Sequence, residues 1–317
     1  MIDALDLPPI PQTMAIIIPP LSDTKPAPAP QAGAKAKGVA LWPLLIITVA
    51  CLYVGVVILL PALSVVFQAF AKGPGVFLQN LGDSDLLAAL RLTLFATAIA
   101  VPFNTIFGLA AATAIARRRF RGKALLLSVI DLPFSISPVV VGLMLVLLYS
   151  PNHGLLGPLV NSWGWRIIFS WPGIVLATII VTFPFMAREV IPLLEEEGWE
   201  QEEAARTLGA SDWQVFWKVT LPSVRWAALY GLILTTARAL GEFGAVSVVS
   251  GNIRGETQTL PLFVEDAYKQ YHTELAYGAA LLLAGVAVVS LLLKILVEQI
   301  MEGSRKSIGL DVDTKDS

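Results

Sequence analysis

The chain has 317 residues, of which 56% are hydrophobic and 15% charged, and its mean hydropathy is +0.71. Soluble domains carry about 25% charged residues, so this composition favours a membrane protein that crosses the bilayer several times. The formal net charge of −2 argues against a nucleic-acid partner. The single cysteine, Cys51, excludes a disulfide framework. The two histidines, His153 and His272, are too far apart to predict a metal site.

Residues 1–40 are predicted to form a disordered tail. Stretches such as "KPAPAPQAGAKAKG" are rich in proline, alanine and glycine and cannot build a core. The "AIII" run at 15–18 is too short for the core of a signal peptide and lacks a basic leader. The tail is therefore expected to be retained, and either Met1 or Met14 fits as the start.

Six segments are long and apolar enough to cross a bilayer as helices, which takes about 20 residues. They are 41–70, 86–116, 124–149, 172–194, 227–249 and 275–301. The sequence thus predicts an all-α fold with a transmembrane domain over 41–301 and a second tail over 302–317. Prolines inside these segments are tolerable because neighbouring helices can satisfy the freed backbone groups.

The basic residues of the connections alternate in abundance and so predict an orientation. One side holds Lys25, Lys35, Lys37, Arg117, Arg118, Arg119, Arg121, Lys123, Arg206, Lys218, Arg225, Arg305, Lys306 and Lys315. The other side holds only Lys72, Arg166, Arg254 and Lys269. By the positive-inside rule, both termini and the 195–226 loop are expected in the cytoplasm.

The 195–226 loop is charged and helix-forming, unlike the spans beside it. "WEQEEAARTL" predicts a first short helix that ends at a left-handed Gly209. Ser211 and Gln214 have capping-box spacing and predict the start of a second helix, which Pro222 is expected to end. Trp213, Phe216 and Trp217 lie close together on that helix.

Two roles for this loop suit its residues. Its tryptophans could anchor a helix in the lipid headgroups, but six glutamates would be repelled by an anionic leaflet. They are Glu195, Glu196, Glu197, Glu200, Glu202 and Glu203. A capped acidic and aromatic segment is better suited to docking in a groove of another protein.

The loop resembles the EAA loop of ABC-importer permeases. The matching residues are Glu203, Ala204, Ala205, Gly209, Leu221 and Pro222, with Val219 in place of the family's isoleucine. The resemblance implies a type I ABC importer transmembrane domain whose coupling helix enters a cleft on a cytoplasmic ATPase subunit. Glu203 would supply a charged contact and Gly209 the turn.

Two further stretches make the resemblance more specific. Residues 237–268, with "GEFGAVSVVSGNIRGETQTLPL", and residues 131–157 are similar to the sulfate/thiosulfate importer permeases, and most to their W-type subunit. The GEFGA element is shared with molybdate permeases and marks only the oxyanion group. The resemblance implies a bacterial inner-membrane complex with a T-type paralogous permease, two ATPase subunits carrying ATP and Mg²⁺, and an extracytoplasmic sulfate-binding protein. That protein would dock on the outer loops at 71–85, 150–171 and 250–274.

Candidate residues for the anion path lie within the spans. Ser137 precedes Pro138, so a half-helix with free N–H groups beside the Ser135 and Ser137 hydroxyls could begin there. The alternative is a simple kink with the serines bonded to backbone carbonyls. Arg238 and Glu242 are four residues apart and could form an ion pair, and Asp131 could reach Arg238 across the bundle. These charges could serve packing alone, or Arg238 could attract the anion.

Other functional classes fit less well. A secondary transporter would need midplane ion-coupling groups and usually shows inverted repeats. A membrane enzyme would need a convergent set of catalytic groups, and a passive anchor would not explain charges within the spans. The sequence holds no G-x-x-x-x-G-K-[ST] motif, so we expect a non-catalytic subunit with no cofactor of its own.

Overall fold

The computed structural model describes residues 41–307 apart from Arg119. The predicted tail 1–40 and residues 308–317 lie outside this range. The chain divides into two compact units, Met1–Gly55 and Val56–Ser317. The described part of the first unit is α1 (Leu41–Val54), which a five-residue π-helix, Gly55–Leu59, follows in sequence. Every regular element in the described ranges is helical, which confirms the predicted all-α class.

The second unit continues with thirteen α-helices in the described ranges. They are α2 (Leu60–Ala69), α3 (Pro74–Leu81), α4 (Ser84–Arg117), α5 (Lys123–Ser135), α6 (Pro138–Tyr149), α7 (Gly157–Ser162), α8 (Trp171–Glu197), α9 (Glu200–Thr207), α10 (Asp212–Val215), α11 (Leu221–Leu240), α12 (Gly244–Val249), α13 (Leu260–Lys269) and α14 (Thr273–Ser307). A second π-helix, Phe216–Thr220, lies between α10 and α11.

Four helical segments in the described ranges are long and apolar enough to cross a membrane. They are Leu45–Ala69, Ser84–Arg117, Trp171–Glu197 and Thr273–Leu292. A fifth crossing results if α5 and α6 together form one broken span. The chain is therefore a multi-pass membrane protein by length and composition.

The predicted span 124–149 is broken rather than straight. α5 ends at Ser135, α6 begins at Pro138, and their axes differ by 109°. Ile136 and Ser137 have ψ angles of 140° and 135°. For Ser137 the cause is Pro138, because proline disfavours the helical conformation of the residue before it. The predicted half-helix start at Pro138 is confirmed.

The predicted span 227–249 is wrong as a single helix. α11 ends at Leu240, and the six-residue α12 begins only at Gly244. The two glycines of "GEFG" are poor helix formers, and the Glu242 side chain accepts a hydrogen bond from the Ala245 N–H in the first turn of α12. At the other end of the chain, α14 runs past the predicted limit Met301 to Ser307.

The core of the second unit is built on α4 and α8. Buried residues of α4 take part in all three apolar clusters, and residues of α8 fill two of them. A buried amide also pins the two helices together: Asn104 donates to the Ile179 carbonyl at 3.1 Å and to the Thr182 hydroxyl at 2.7 Å. Gly108 allows their close approach, since a β-carbon there would lie 2.7 Å from the Met186 side chain.

Helix starts follow from local residues. Asp83 begins α4 by accepting hydrogen bonds from the N–H groups of Asp85 and Leu86, at 3.0 and 2.9 Å. Proline lies in the first turn of several other helices, where no N–H is needed; these are α2, α3, α6, α7, α8, α11 and α13.

Candidate functional site

The 195–226 loop folds into a compact feature that we call the knob, residues 200–220. α9 ends at Thr207, and Gly209 takes the left-handed conformation with φ 86°. Ser211 then caps α10: Gln214 N–H donates to the Ser211 hydroxyl at 3.4 Å, and Ser211 N–H donates to the Gln214 side chain at 2.9 Å. The predicted pair of helices, the glycine turn and the capping box are confirmed.

The prediction that Pro222 ends the second helix is wrong. The backbone stays helical from α10 through the π-helix into α11, and Pro222 lies in the first turn of α11. The Leu221 N–H donates to the Phe216 carbonyl, five residues back, so the chain is wound more widely at this point. Proline's missing N–H is tolerated in a first turn.

Three aromatic rings, two of them exposed and the third half-buried, pack together on one face of the knob. Trp213 and Trp217 pack edge to face with ring centroids 5.5 Å apart, and Phe216 contacts both rings. The Trp213 side chain nevertheless remains 70% exposed. Exposed aromatic residues of this kind are enriched where proteins bind one another.

Of the residues that match the EAA pattern, four lie in the knob and two, Leu221 and Pro222, directly follow it in α11. Glu203, Ala204, Gly209 and Pro222 are exposed, while Ala205 and Leu221 are half-buried. Leu208 is 89% exposed beside Gly209. The knob therefore presents acidic, small and large apolar side chains together, as a docking surface requires.

A buried ion pair that the sequence did not single out lies beneath the knob. Arg117, the last residue of α4, donates from Nε to Glu202 Oε1 at 2.9 Å. Its Nη1 donates to the carbonyls of Leu194 and Gly198, each at 2.6 Å. Thr220 donates its hydroxyl to the same Glu202 oxygen at 2.7 Å.

A second region forms where the two interrupted helices meet. α6 and α12 pack closely, since a β-carbon on Gly142 would lie 2.7 Å from the Ala245 carbonyl and one on Gly244 would lie 2.8 Å from the Pro138 β-carbon. The break between α5 and α6 and the break between α11 and α12 therefore adjoin.

Of the predicted path residues, Arg238 and Glu242 are brought together. Arg238 Nη1 lies 2.5 Å from Glu242 Oε2, and the Glu242 carboxylate is almost fully buried. The other oxygen accepts from the Ala245 N–H at 2.9 Å, so Glu242 pairs with Arg238 and also satisfies an N–H group in the first turn of α12. Ser137, on the exposed side of the α5–α6 break, makes no side-chain capping bond to α6. Ser135 is exposed at the end of α5.

The predicted reach of Asp131 to Arg238 is wrong. Asp131 on α5 instead accepts from Arg188 Nε on α8 at 2.7 Å. The Arg188 guanidinium also lies over the Phe134 ring, 4.4 Å from its centroid. Asp131 therefore joins α5 to α8 through Arg188.

The sequence missed Arg117, Thr220 and Arg188, and it treated Glu202 as one acid among six. Only the position of Arg188 within an apolar span signalled it, since such charges are normally paired or functional. Within the described ranges, no group of three His, Cys, Asp or Glu side chains is arranged to hold a metal ion.

The sequence that forms the knob and the two helix breaks matches the model of a known protein family. The family described as "Binding-protein-dependent transport system inner membrane component" matches residues 104–304, which include the knob and both breaks. The chain belongs to this family. Its matched region covers the C-terminal part of α4, the helices α5 to α13 and most of α14.

Individual relatives match most of the chain in sequence. The sulfate transport system permease protein CysW of Synechococcus elongatus is 65% identical over 259 residues, which is 82% of this chain and 90% of that protein. The sulfate transport system permease protein CysT of Escherichia coli K12 is 37% identical over 242 residues, 76% of this chain and 86% of that protein.

A solved structure shares the fold. It is the crystal structure of a bacterial alginate ABC transporter in complex with an alginate pentasaccharide-bound periplasmic protein. Its TM-score is 0.67 at 18% identity, covering 80% of this chain and 92% of the matched chain. The chain therefore shares its helical fold with a chain of that transporter complex.

Proposed function

We propose that the chain is a membrane-spanning permease subunit of an ATP-driven importer for sulfate and thiosulfate. The observation that carries this proposal is 65% identity to a sulfate transport system permease over 90% of that protein's length. Within the same family, molybdate or a related oxyanion is the runner-up substrate. A secondary transporter is the alternative of another class, and the knob argues against it, because ion-coupled transport gives such a docking surface no purpose.

The knob is proposed to couple the permease to a separate ATPase subunit. Its exposed Glu203 and its Trp213 ring suit a cleft that offers a basic contact and an apolar wall. ATP and Mg²⁺ would be bound by two such ATPase subunits, and this chain would catalyse no reaction itself. Coupling residues would be those of the EAA pattern: Glu203, Ala204, Ala205, Gly209, Leu221 and Pro222.

The proposed topology has six crossings with both termini in the cytoplasm. α11 together with α12 would supply the sixth crossing beside the four apolar spans and the broken α5–α6 pair. Non-helical backbone at membrane depth is tolerated where protein or a water-filled cavity covers it. The break at 241–243 fits that condition, because the Glu242 carboxylate is buried and hydrogen-bonded there.

The anion path is proposed to pass the two adjoining breaks. Ser135, Ser137, Arg238 and Glu242 would line it, and the partial positive charge at the N-terminus of α6 would favour an oxyanion there. Buried Glu242 would fix Arg238 in place. The other half of the path would come from a T-type paralogous permease, and an extracytoplasmic sulfate-binding protein would deliver the anion in the bacterial inner membrane.

Uptake of labelled sulfate tests the proposal. Cells that lack this chain would be complemented with wild type, with Glu203→Lys, or with Glu200→Lys as an exposed acidic control on the same helix. We expect wild type and the control to restore uptake and membrane-inserted Glu203→Lys to fail. Loss of molybdate uptake with sulfate uptake intact would move the substrate to molybdate. Unchanged uptake of both ions would contradict the importer assignment.

A further inference from the structure

The buried ion pair beneath the knob joins four separate elements. Arg117 ends α4, and its Nη1 satisfies the carbonyls of Leu194 and Gly198 at the end of α8. Its Nε holds Glu202 in α9. Glu202 in turn accepts from Thr220, at the end of the π-helix. The two helices at the centre of the core are thus bonded to both halves of the knob.

Because the ion pair is buried, the loss of either partner is costly to the fold. The side chains of Arg117 and Glu202 are only 10% and 5% exposed. Removing one member of a buried charge pair leaves the other charge without compensation. The carbonyls at the end of α8 have no partner within their own helix, so the Arg117 guanidinium also completes that helix end. A neutral apolar pair could fill the same volume but would not fix the direction in which α9 leaves α8.

We propose that Arg117, Glu202 and Thr220 form a positioning node that fixes the knob to α4 and α8. The node would carry movement of the knob into the core of the permease. Glu203 points out to the surface one residue away, so the docking group and the anchoring group are adjacent in sequence. The transport consequence of the node rests on the proposed function, whereas the anchoring does not.

A nearby ion pair provides the matched control. Lys123 at the start of α5 binds Glu195 near the end of α8 at 2.8 Å. Their side chains are 30% and 47% exposed, so that pair bridges two of the helices of the same region without being buried. Lys123→Gln therefore removes an ion pair that leaves no buried charge behind.

The test uses the purified complex of the chain with its ATPase subunits and second permease in proteoliposomes. Sulfate transported per ATP hydrolysed would be measured for wild type, Glu202→Gln, Arg117→Lys and Lys123→Gln. We expect the ratio to fall at least fivefold in both node variants, with ATP hydrolysis within twofold of wild type, and to stay within twofold in the control. An unchanged ratio would overturn the coupling role, even if both rates fall together.

Two additions keep the result decisive. If Glu202→Gln yields no complex, Thr220→Val replaces it, since that change removes one hydroxyl at similar volume. Its effect is measured as the same ratio of sulfate transported per ATP hydrolysed. Hydrogen exchange of the α9 amides in the full chain in lipid nanodiscs needs no sulfate. We expect exchange at least tenfold faster in Glu202→Gln than in Lys123→Gln. Equal exchange in the two variants overturns the node, and absent sulfate uptake by wild type counts only against the proposed function.

Discussion

Gly244 lies directly against Pro138, where the starts of two interrupted helices meet. A β-carbon at position 244 would come within 2.8 Å of the Pro138 β-carbon. This contact holds α12 on α6 and brings both breaks to one place. The proposed path therefore requires a residue without a side chain at position 244.

Gly244→Ala is expected to destabilise the permease by about 1–3 kcal/mol, because the added methyl group overpacks a tight contact. Thermal unfolding in detergent, followed by size-exclusion chromatography, would measure the change. Gly241→Ala is the control, since the nearest atom to its added β-carbon would be 3.7 Å away. Equal melting temperatures for the two variants would contradict the contact.

Arg238→Met is expected to cost about 3–5 kcal/mol, because it leaves the buried Glu242 carboxylate without its cation. Adding Glu242→Gln should recover most of that loss, since the amide oxygen can still accept from the Ala245 N–H. The same thermal assay compares the two variants. If the single variant is as stable as wild type, the pair has no structural role.

The double variant also separates packing from transport. A stable Arg238→Met, Glu242→Gln protein is expected to show at least tenfold lower sulfate uptake if Arg238 contacts the anion. The comparison is with wild type at matched abundance in the membrane. Normal uptake by this variant would remove Arg238 from the path.

Asp266 on α13 gives the stability of residues 251–270 a defined dependence on pH. Burial raises the pKa of this carboxyl. Hydrogen bonds from Arg254, Gln270 and Gln258 together lower it by a larger amount, so the pKa lies below its ordinary value of 3.8. The ionised form therefore stabilises the fold, fully above pH 3.8, and this contribution is lost as the pH falls through the lowered pKa.

Hydrogen exchange of residues 251–270 between pH 3 and 6 would report this contribution, after correction for the intrinsic rate at each pH. Protection is expected to fall at the acidic end in wild type. Asp266→Asn should show weaker protection throughout and no such fall. A parallel pH profile in both proteins would exclude Asp266 as the titrating group.

Gly209→Ala is expected to weaken the knob by about 1–2 kcal/mol, the cost of a left-handed conformation for an ordinary residue. No atom lies within 4 Å of the added β-carbon, so this cost is purely conformational. Exchange of amides 208–216 would rise by about tenfold per 1.4 kcal/mol. Gly209→Asn should rise less, since asparagine tolerates this conformation, and the reverse order would argue against the turn.

The features that local sequence determines were predicted well. The bounds of α4 and α8 follow from long apolar runs, the capping of α10 follows from Ser211 and Gln214, and the helix start at Pro138 follows from proline stereochemistry. Each depends on residues within one or two turns of each other, which the sequence displays directly.

The features that depend on packing between distant elements were not predicted. Which of the adjacent acids, Glu202 or Glu203, is buried depends on how α9 meets Arg117, 85 residues away in sequence. The partner of Asp131 depends on the angle between α5 and α8. The passage of the helix through Pro222 required a wider turn that no local pattern announced.

That wider turn leaves one unbroken helical run from Asp212 to Leu240, about 43 Å long at 1.5 Å per residue. The aromatic face of the knob sits at one end of this run and Arg238 sits near the other. Successive turns of a helix are hydrogen-bonded to one another, so the run resists twisting about its own axis. A rotation of the helix at Trp213 would therefore also rotate Arg238. The helical hydrogen bonding stops only at Gly241, which follows the last residue of α11.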